Sequence, residues 1–261
     1  LLDWLAVEFV ESGWDVKHVV QLIVSSNSYQ RSAQATAEQE KRDPQNELYS
    51  HQSHWRLEAE FIRDNALAAG DLLNRKVGGP SIKPYQPKGY WQHLNFPTRS
   101  WSHDTTEDQF RRGLYIHWQR TFLHPSLLAF DAPSREECTA SRSISNTPKA
   151  ALVLLNDPSF VEAAREFASR ALARPIENDV ARLTWMWRTT LLRNPTPDEL
   201  AVLHNYLDES RTHFKERVRE SVQLLNVGMK VPEKGVPAVE FAAWTSVGRA
   251  LLNLDESITR P

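Results

Sequence analysis

The sequence predicts a mainly α-helical protein, an irregular multi-helix domain with one proline- and aromatic-rich segment packed across its helices. Two observations predict it. Apolar residues recur at helical spacing through most of the 261 residues. The stretches that carry them open on helix caps such as Asn156-Asp157-Pro158 and Thr196-Pro197-Asp198-Glu199. More than half of the chain is expected in helices, against an ordinary share of about one third.

In chain order, Leu2, Leu5, Ala6, Phe9 and Val10 form one apolar stripe, broken at Ser12-Gly13. Asp15 then caps a second helix whose inner face is Val16, Val19, Val20, Ile23 and Val24. The polar stretch from Ser32 to Asn46 reads as a connector. A third helix runs from about Trp55 to Leu73, with Gly78-Gly79-Pro80 as its stop. From Ser81 to Asp108, Pro84, Pro87, Gly89 and Pro97 forbid a long helix, while Tyr85, Tyr90, Trp91, Phe96 and Trp101 supply rings. Such a segment is ordered and irregular, and short strands are allowed there and around Leu114–Trp118. Helices resume after Asp157 and after Thr196, Pro232, Gly235 and Pro237 end the next, and a final one covers about Val239 to Leu252. The reading is one helical domain over 1–261, with a subdivision near 110–150 left open.

Charge and composition narrow the partners. Apolar residues make up 41% and charged residues 25%, a globular balance, and the formal net charge of −2 gives no overall positive field for nucleic acid. No apolar run approaches the roughly 18–20 residues of a membrane span. The single cysteine, Cys138, excludes an internal disulfide, a multi-cysteine zinc site and a Cys-x-x-Cys-His haem attachment. His51-x-x-His54 lacks a third ligand nearby, so neither a metal nor any other cofactor is expected. The chain opens on Leu1 inside an amphipathic pattern and reads as a piece of a larger, multidomain protein.

Two charged clusters are the candidate ligand-binding residues. Arg56, Glu60 and Asp64 are spaced i, i+4, i+8 with Arg63 three residues beyond Glu60, which puts mixed charge on one helical face. That face is either a solvated, salt-bridged surface or the lining of a cleft. The second cluster, Phe130 to Cys138 followed by Arg142, holds Asp131 and Arg135 in a proline-broken stretch. It either organises an anionic or sugar ligand or merely caps a turn, with Cys138 as buried filler. Each arginine offers a planar fork suited to a carboxylate, so the two clusters are expected to meet, with Glu60 or Asp131 largely buried. Tyr90, Trp91 and Trp101 are the aromatic surface candidates, since rings stack on the apolar face of a sugar.

These residues carry a family resemblance. The matching stretches are Leu1–Asp15, Leu22–Tyr29, Arg56-Leu57-Glu58-Ala59-Glu60 with Arg63-Asp64, Gly78–Ser81 and Tyr85-Gln86-Pro87. Further on come Phe130–Cys138, Asn146-Thr147-Pro148, Leu154–Pro158 and Leu251–Glu256. Together they resemble the planctomycete-specific C-terminal domain of unknown function, found in large exported planctomycete and verrucomicrobial proteins. The chain departs from that pattern at Ser141, where the family usually has a second arginine, and at Lys149-Ala150, where it usually has Leu-Gln. The resemblance implies an extracytoplasmic setting, periplasmic or at the cell surface, and upstream companion domains of the same polypeptide, cytochrome-c-like in many relatives. It implies no reaction. Two functions fit: a non-catalytic helical module that supports or docks those domains, or a carbohydrate-binding or -processing domain using Glu60, Asp64, Asp131 and nearby rings.

Overall fold

The computed structural model describes residues 1–93, 100–120, 122–176 and 178–260; Phe96 and Pro97 of the aromatic segment lie outside them. More than half of the described residues are helical. Among the described residues are twelve α-helices and one two-stranded antiparallel ladder. The chain divides into two compact units.

The first unit holds residues 1–56 and a strand from near the other end of the sequence. α1 (Leu2–Glu11) and α2 (Val16–Ser25) form a hairpin. Gly13 and Trp14 reverse the chain with positive φ, and Asp15 caps α2 by accepting from the amides of Lys17 and His18. Phe9 meets Trp14 edge to face, and Glu8 pairs with His18 at 2.7 Å. The expected inner face of α2 is not an inner face: no residue of α1 or α2 is buried. α3 (Ala37–Arg42) lies inside the stretch expected as a connector, started by a Thr36–Gln39 capping box. β1 (Trp55–Arg56) pairs antiparallel with β2 (Thr259–Arg260), Trp55 opposite Arg260.

The second unit covers residues 57–258. Its helices are α4 (Ala59–Ala69), α5 (Pro125–Ala129), α6 (Pro148–Asn156), α7 (Pro158–Ala173), α8 (Asp179–Leu191), α9 (Pro197–Glu216), α10 (Val218–Leu225), α11 (Ala238–Leu252) and α12 (Asp255–Ile258). The expected starts of α7 and α9 are met: Asp157 caps one, and Thr196 and Glu199 form a reciprocal box on the other. The third helix is shorter than expected. Its first residues, Trp55 and Arg56, are claimed by the ladder with β2, and it stops at Gly70 rather than at Gly78-Gly79. α10 likewise ends at Leu225, before Pro232.

α7 and α11 form the centre of this core. They approach closely because small residues face each other: a Cβ on Gly248 would stand 2.8 Å from the carbonyl oxygen of Ala164. Ala163, Ala164, Ala168 and Ala171 of α7 are buried with Phe160 and Phe167, against Phe241, Trp244 and Leu251 of α11. Between α4 and α5 the chain makes 3-10 turns at Tyr90–His93, Glu107–Phe110 and Gly113–Tyr115. The strands allowed there reduce, among the described residues, to two isolated bridges, Asn74 with Arg111 and Ile82 with Ile116. The segment does pack onto the helices, Tyr85 reaching Glu162 on α7.

Candidate functional site

One ion pair joins the two charged clusters. Glu58 precedes α4 and Glu60 lies in its first turn, where a carboxylate complements the helix N-terminus. Arg142 donates from Nη1 and Nη2 to the two oxygens of Glu60, at 2.6 and 3.1 Å, and stands 3.4 Å from Glu58. The Glu60 side chain is 13% exposed and that of Arg142 28%. The bond to Glu60 raises the Arg142 pKa above its ordinary value, against the opposing effect of burial.

The other members of the first cluster turn elsewhere. Arg63 is buried and donates to the carbonyls of Arg111 (2.9 Å) and Gln109 (2.7 Å), and its burial lowers its pKa. Asp64 accepts from the Gly113 amide at 2.6 Å, and burial raises its pKa. The same turn needs glycine, because a Cβ at Gly113 would stand 2.8 Å from the backbone of Glu60. Behind it, Arg111 donates to the carbonyls of Pro80 (2.7 Å) and Gly78 and lies over the Tyr115 ring at 3.9 Å. Gly78-Gly79-Pro80 is thus an anchored loop, not a helix stop. Arg56 lies outside α4, in β1 of the first unit.

In the second cluster Asp131 takes positive φ and accepts from the amide (2.8 Å) and hydroxyl (2.7 Å) of Ser145. Arg135, also at positive φ, is exposed and stacks its guanidinium over Trp118 at 3.9 Å. Beside Arg142 a cavity of about 490 Å³ is lined by Leu128, Asp131, Ser134, Glu136, Glu137 and Ser141, among others. Cys138 is exposed rather than buried filler, since the segment it sits on runs over the surface. Ala150 is buried on α6, while Lys149 is exposed.

Of the three candidate rings, Trp91 is buried and Tyr90 and Trp101 are half-buried. Trp91 is 7% exposed, stacked on Trp101 at 5.2 Å and edge-on to Phe122. Trp101 donates to the Pro84 carbonyl at 2.8 Å, and the Tyr90 hydroxyl to that of Leu123 at 3.1 Å. Trp91 is therefore packing, because its neighbours in the segment are themselves aromatic.

Two buried polar centres escaped the sequence reading. His124 precedes α5 and accepts from the Ser126 amide at Nδ1, so Nε2 carries the proton and donates to the Tyr85 carbonyl at 2.7 Å. Burial lowers its pKa to about 4. On α7, Glu162 accepts from the Tyr85 hydroxyl (2.9 Å) and the amides of Met229 (2.8 Å) and Lys230 (2.7 Å). Arg165 beside it bonds Glu166 (3.0 Å) and the carbonyls of Leu225, Val227 and Lys230. The only local signal for His124 was the following proline, a residue favoured at the first helical position. Glu162, Arg165 and Glu166 look in sequence like any solvated helix face.

Chemically these carboxylates are acceptors for structural donors. Among the described residues no three His, Cys, Asp or Glu side chains gather where they could hold a metal ion. The family model described as PSD1, Protein of unknown function (DUF1553), matches residues 1–207. The chain belongs to this family. The matched span of the PSD1 family takes in α1 to α8, both charged clusters and the Glu60–Arg142 pair. No curated protein and no solved structure matches the chain.

Proposed function

We propose that the chain is a non-catalytic helical module of a large exported protein of the planctomycete type, holding companion domains of the same polypeptide outside the cytoplasm. Cytochrome-c-like domains are the companions that the motif resemblance favours. One observation carries this reading: the apolar stripes of α1 and α2 face outward. Trp4 is 54% and Trp14 67% exposed, and Leu2, Val7, Val10, Val16 and Val20 are exposed with them. Beside them Leu1, Trp4, Leu5, Leu22, Ile23 and Tyr29 line an apolar groove of about 570 Å³ in the same unit. Contiguous apolar surface of this kind marks an interaction site in a soluble domain. The carbohydrate reading draws on the cavity beside Arg142, but one of its three rings, Trp91, is buried in a stack.

The test mixes the chain with the preceding part of its own polypeptide, expressed separately, and follows the complex by size-exclusion chromatography with light scattering. Co-elution that Trp4→Ser and Val20→Ser abolish supports the reading. No association, or association that both variants retain, rejects it. Both side chains are exposed, so circular dichroism should be unchanged by either substitution. Among the described residues no helix is long and apolar enough to cross a membrane, so the test uses aqueous buffer alone.

A further inference from the structure

A second pocket lies in the first unit, beside the apolar groove of α1 and α2 and sharing His51 with it. A polar pocket of about 560 Å³ is lined by Arg31, Ser32, Gln39, Arg42, Ser50 and His51, together with Asp43 and others. That volume falls in the range of roughly 300–1,000 Å³ used for small organic ligands.

The walls are fixed by their own bonds. Asp43 is buried, and its two oxygens accept from the amides of Glu47 and Leu48, each at 2.8 Å. The one carboxylate lining the pocket is thus turned to the backbone of its own loop. Asn46 closes that loop by donating to the His51 carbonyl at 2.8 Å. Gln39 donates to the Ser50 carbonyl at 3.1 Å, and the Gln52 amide to that of Ser32 at 3.0 Å. His51 bonds the Gln52 carbonyl through Nδ1 at 2.8 Å, which leaves Nε2 for another partner.

The cations are the unanswered groups. Arg31 reaches the Tyr49 carbonyl through Nη1, and among the described residues its side chain makes no other hydrogen bond. The Arg42 side chain, at the end of α3, bonds no other side chain or carbonyl among the described residues. α3 ends at the pocket rather than beginning there, so no helix dipole assists: the attraction comes from side chains. Two guanidinium forks, with hydroxyls and an amide lining the same pocket, supply the donors that an oxyanion accepts.

We propose that this pocket binds an oxyanion, a sulfate, phosphate or carboxylate carried on a polar organic body, held between Arg31 and Arg42. The test is calorimetric titration of the full chain with sodium sulfate, sodium phosphate, sodium acetate, glucose 6-sulfate and uncharged glucose, at matched ionic strength. Saturable binding of an anion is expected, with none for glucose; tighter binding of glucose 6-sulfate than of inorganic sulfate would assign the organic body a role. Losing one charge-assisted contact should weaken binding about tenfold or more, so Arg42→Gln should do so without disturbing the fold. Arg31→Gln, an independent variant, should act in the same direction. No saturable binding of any anion, equal binding of glucose, or full affinity retained in Arg42→Gln overturns the proposal.

Discussion

Arg142 holds both oxygens of Glu60 across 82 positions of sequence, and so ties the proline-broken segment to the first turn of α4. Removing the arginine takes this two-point partner from a mostly buried carboxylate. Losing one side of a buried pair costs about 3–5 kcal/mol, and the partial exposure of Arg142 lowers the expectation here. Arg142→Ala should destabilise the protein by about 1–3 kcal/mol, read as a lower urea midpoint at unchanged slope. Arg142→Lys should recover only part, because an ammonium cannot span two oxygens in plane.

Gly113 tests the same contact from the backbone side. Alanine there would press its Cβ into the backbone of Glu60 and strain the turn that Asp64 holds. Overpacking of this kind costs about 1–3 kcal/mol. Leu114→Ala, at the exposed neighbour, should stay within about 0.5 kcal/mol. Equal melting temperatures for the two variants would rule out the close approach.

His124 sets an acid limit. Its folded-state pKa of about 4 lies below the unfolded value of about 6.5, so protons prefer the unfolded chain. Stability is full above about pH 6.5 and falls as pH drops towards 4, by about 3 kcal/mol in all from this group. Asp64 and Asp157 have raised pKa values, so their contributions run the other way, declining as pH rises through the carboxylate range. The difference between wild type and His124→Asn isolates the histidine. A difference curve flat between pH 4 and 7 would refute its buried neutral state.

Glu162 is the acceptor at which the loop around Met229 closes on α7. Glu162→Ala strands the Tyr85 hydroxyl, two amides and part of the Arg165 charge at once. A loss of about 3–5 kcal/mol is expected, with Glu162→Gln less damaging because one oxygen survives. Denaturant titration decides it, and a loss below about 1 kcal/mol for the alanine variant would make the network incidental.

Much of the fold was legible because local rules decide it. Asp15, Asp157 and Thr196 cap the helices that their sequence context announced, and the apolar spacing of α11 gave its extent to within a residue. What was hidden depends on partners far along the chain. Arg56 sits at helical spacing from Glu60, yet its backbone pairs with Thr259, and no local pattern reports such a ladder. Burial was equally hidden. The two charged clusters were expected to meet and do so at Glu60 and Arg142; Arg63 and Asp64 find backbone groups of the 109–113 turn, which carry no signature in sequence. Trp91 illustrates the converse error, since a ring among rings packs on its neighbours instead of awaiting a ligand.

The β1–β2 ladder gives the chain a nested order. Residues 57–258 leave the first unit at Arg56 and return to it at Thr259, and the Leu57 amide bonds the Ile258 carbonyl at 2.8 Å where the two ends of the second unit meet. A ribosome therefore delivers the first unit in two instalments, with the whole second unit made between them. Trp55 and Arg56 have to wait, their strand edge unpaired, until residues 259 and 260 emerge. The larger unit needs no such wait. It can fold first and bring its own two ends together, so that residues 259 and 260 then complete the ladder of the smaller unit.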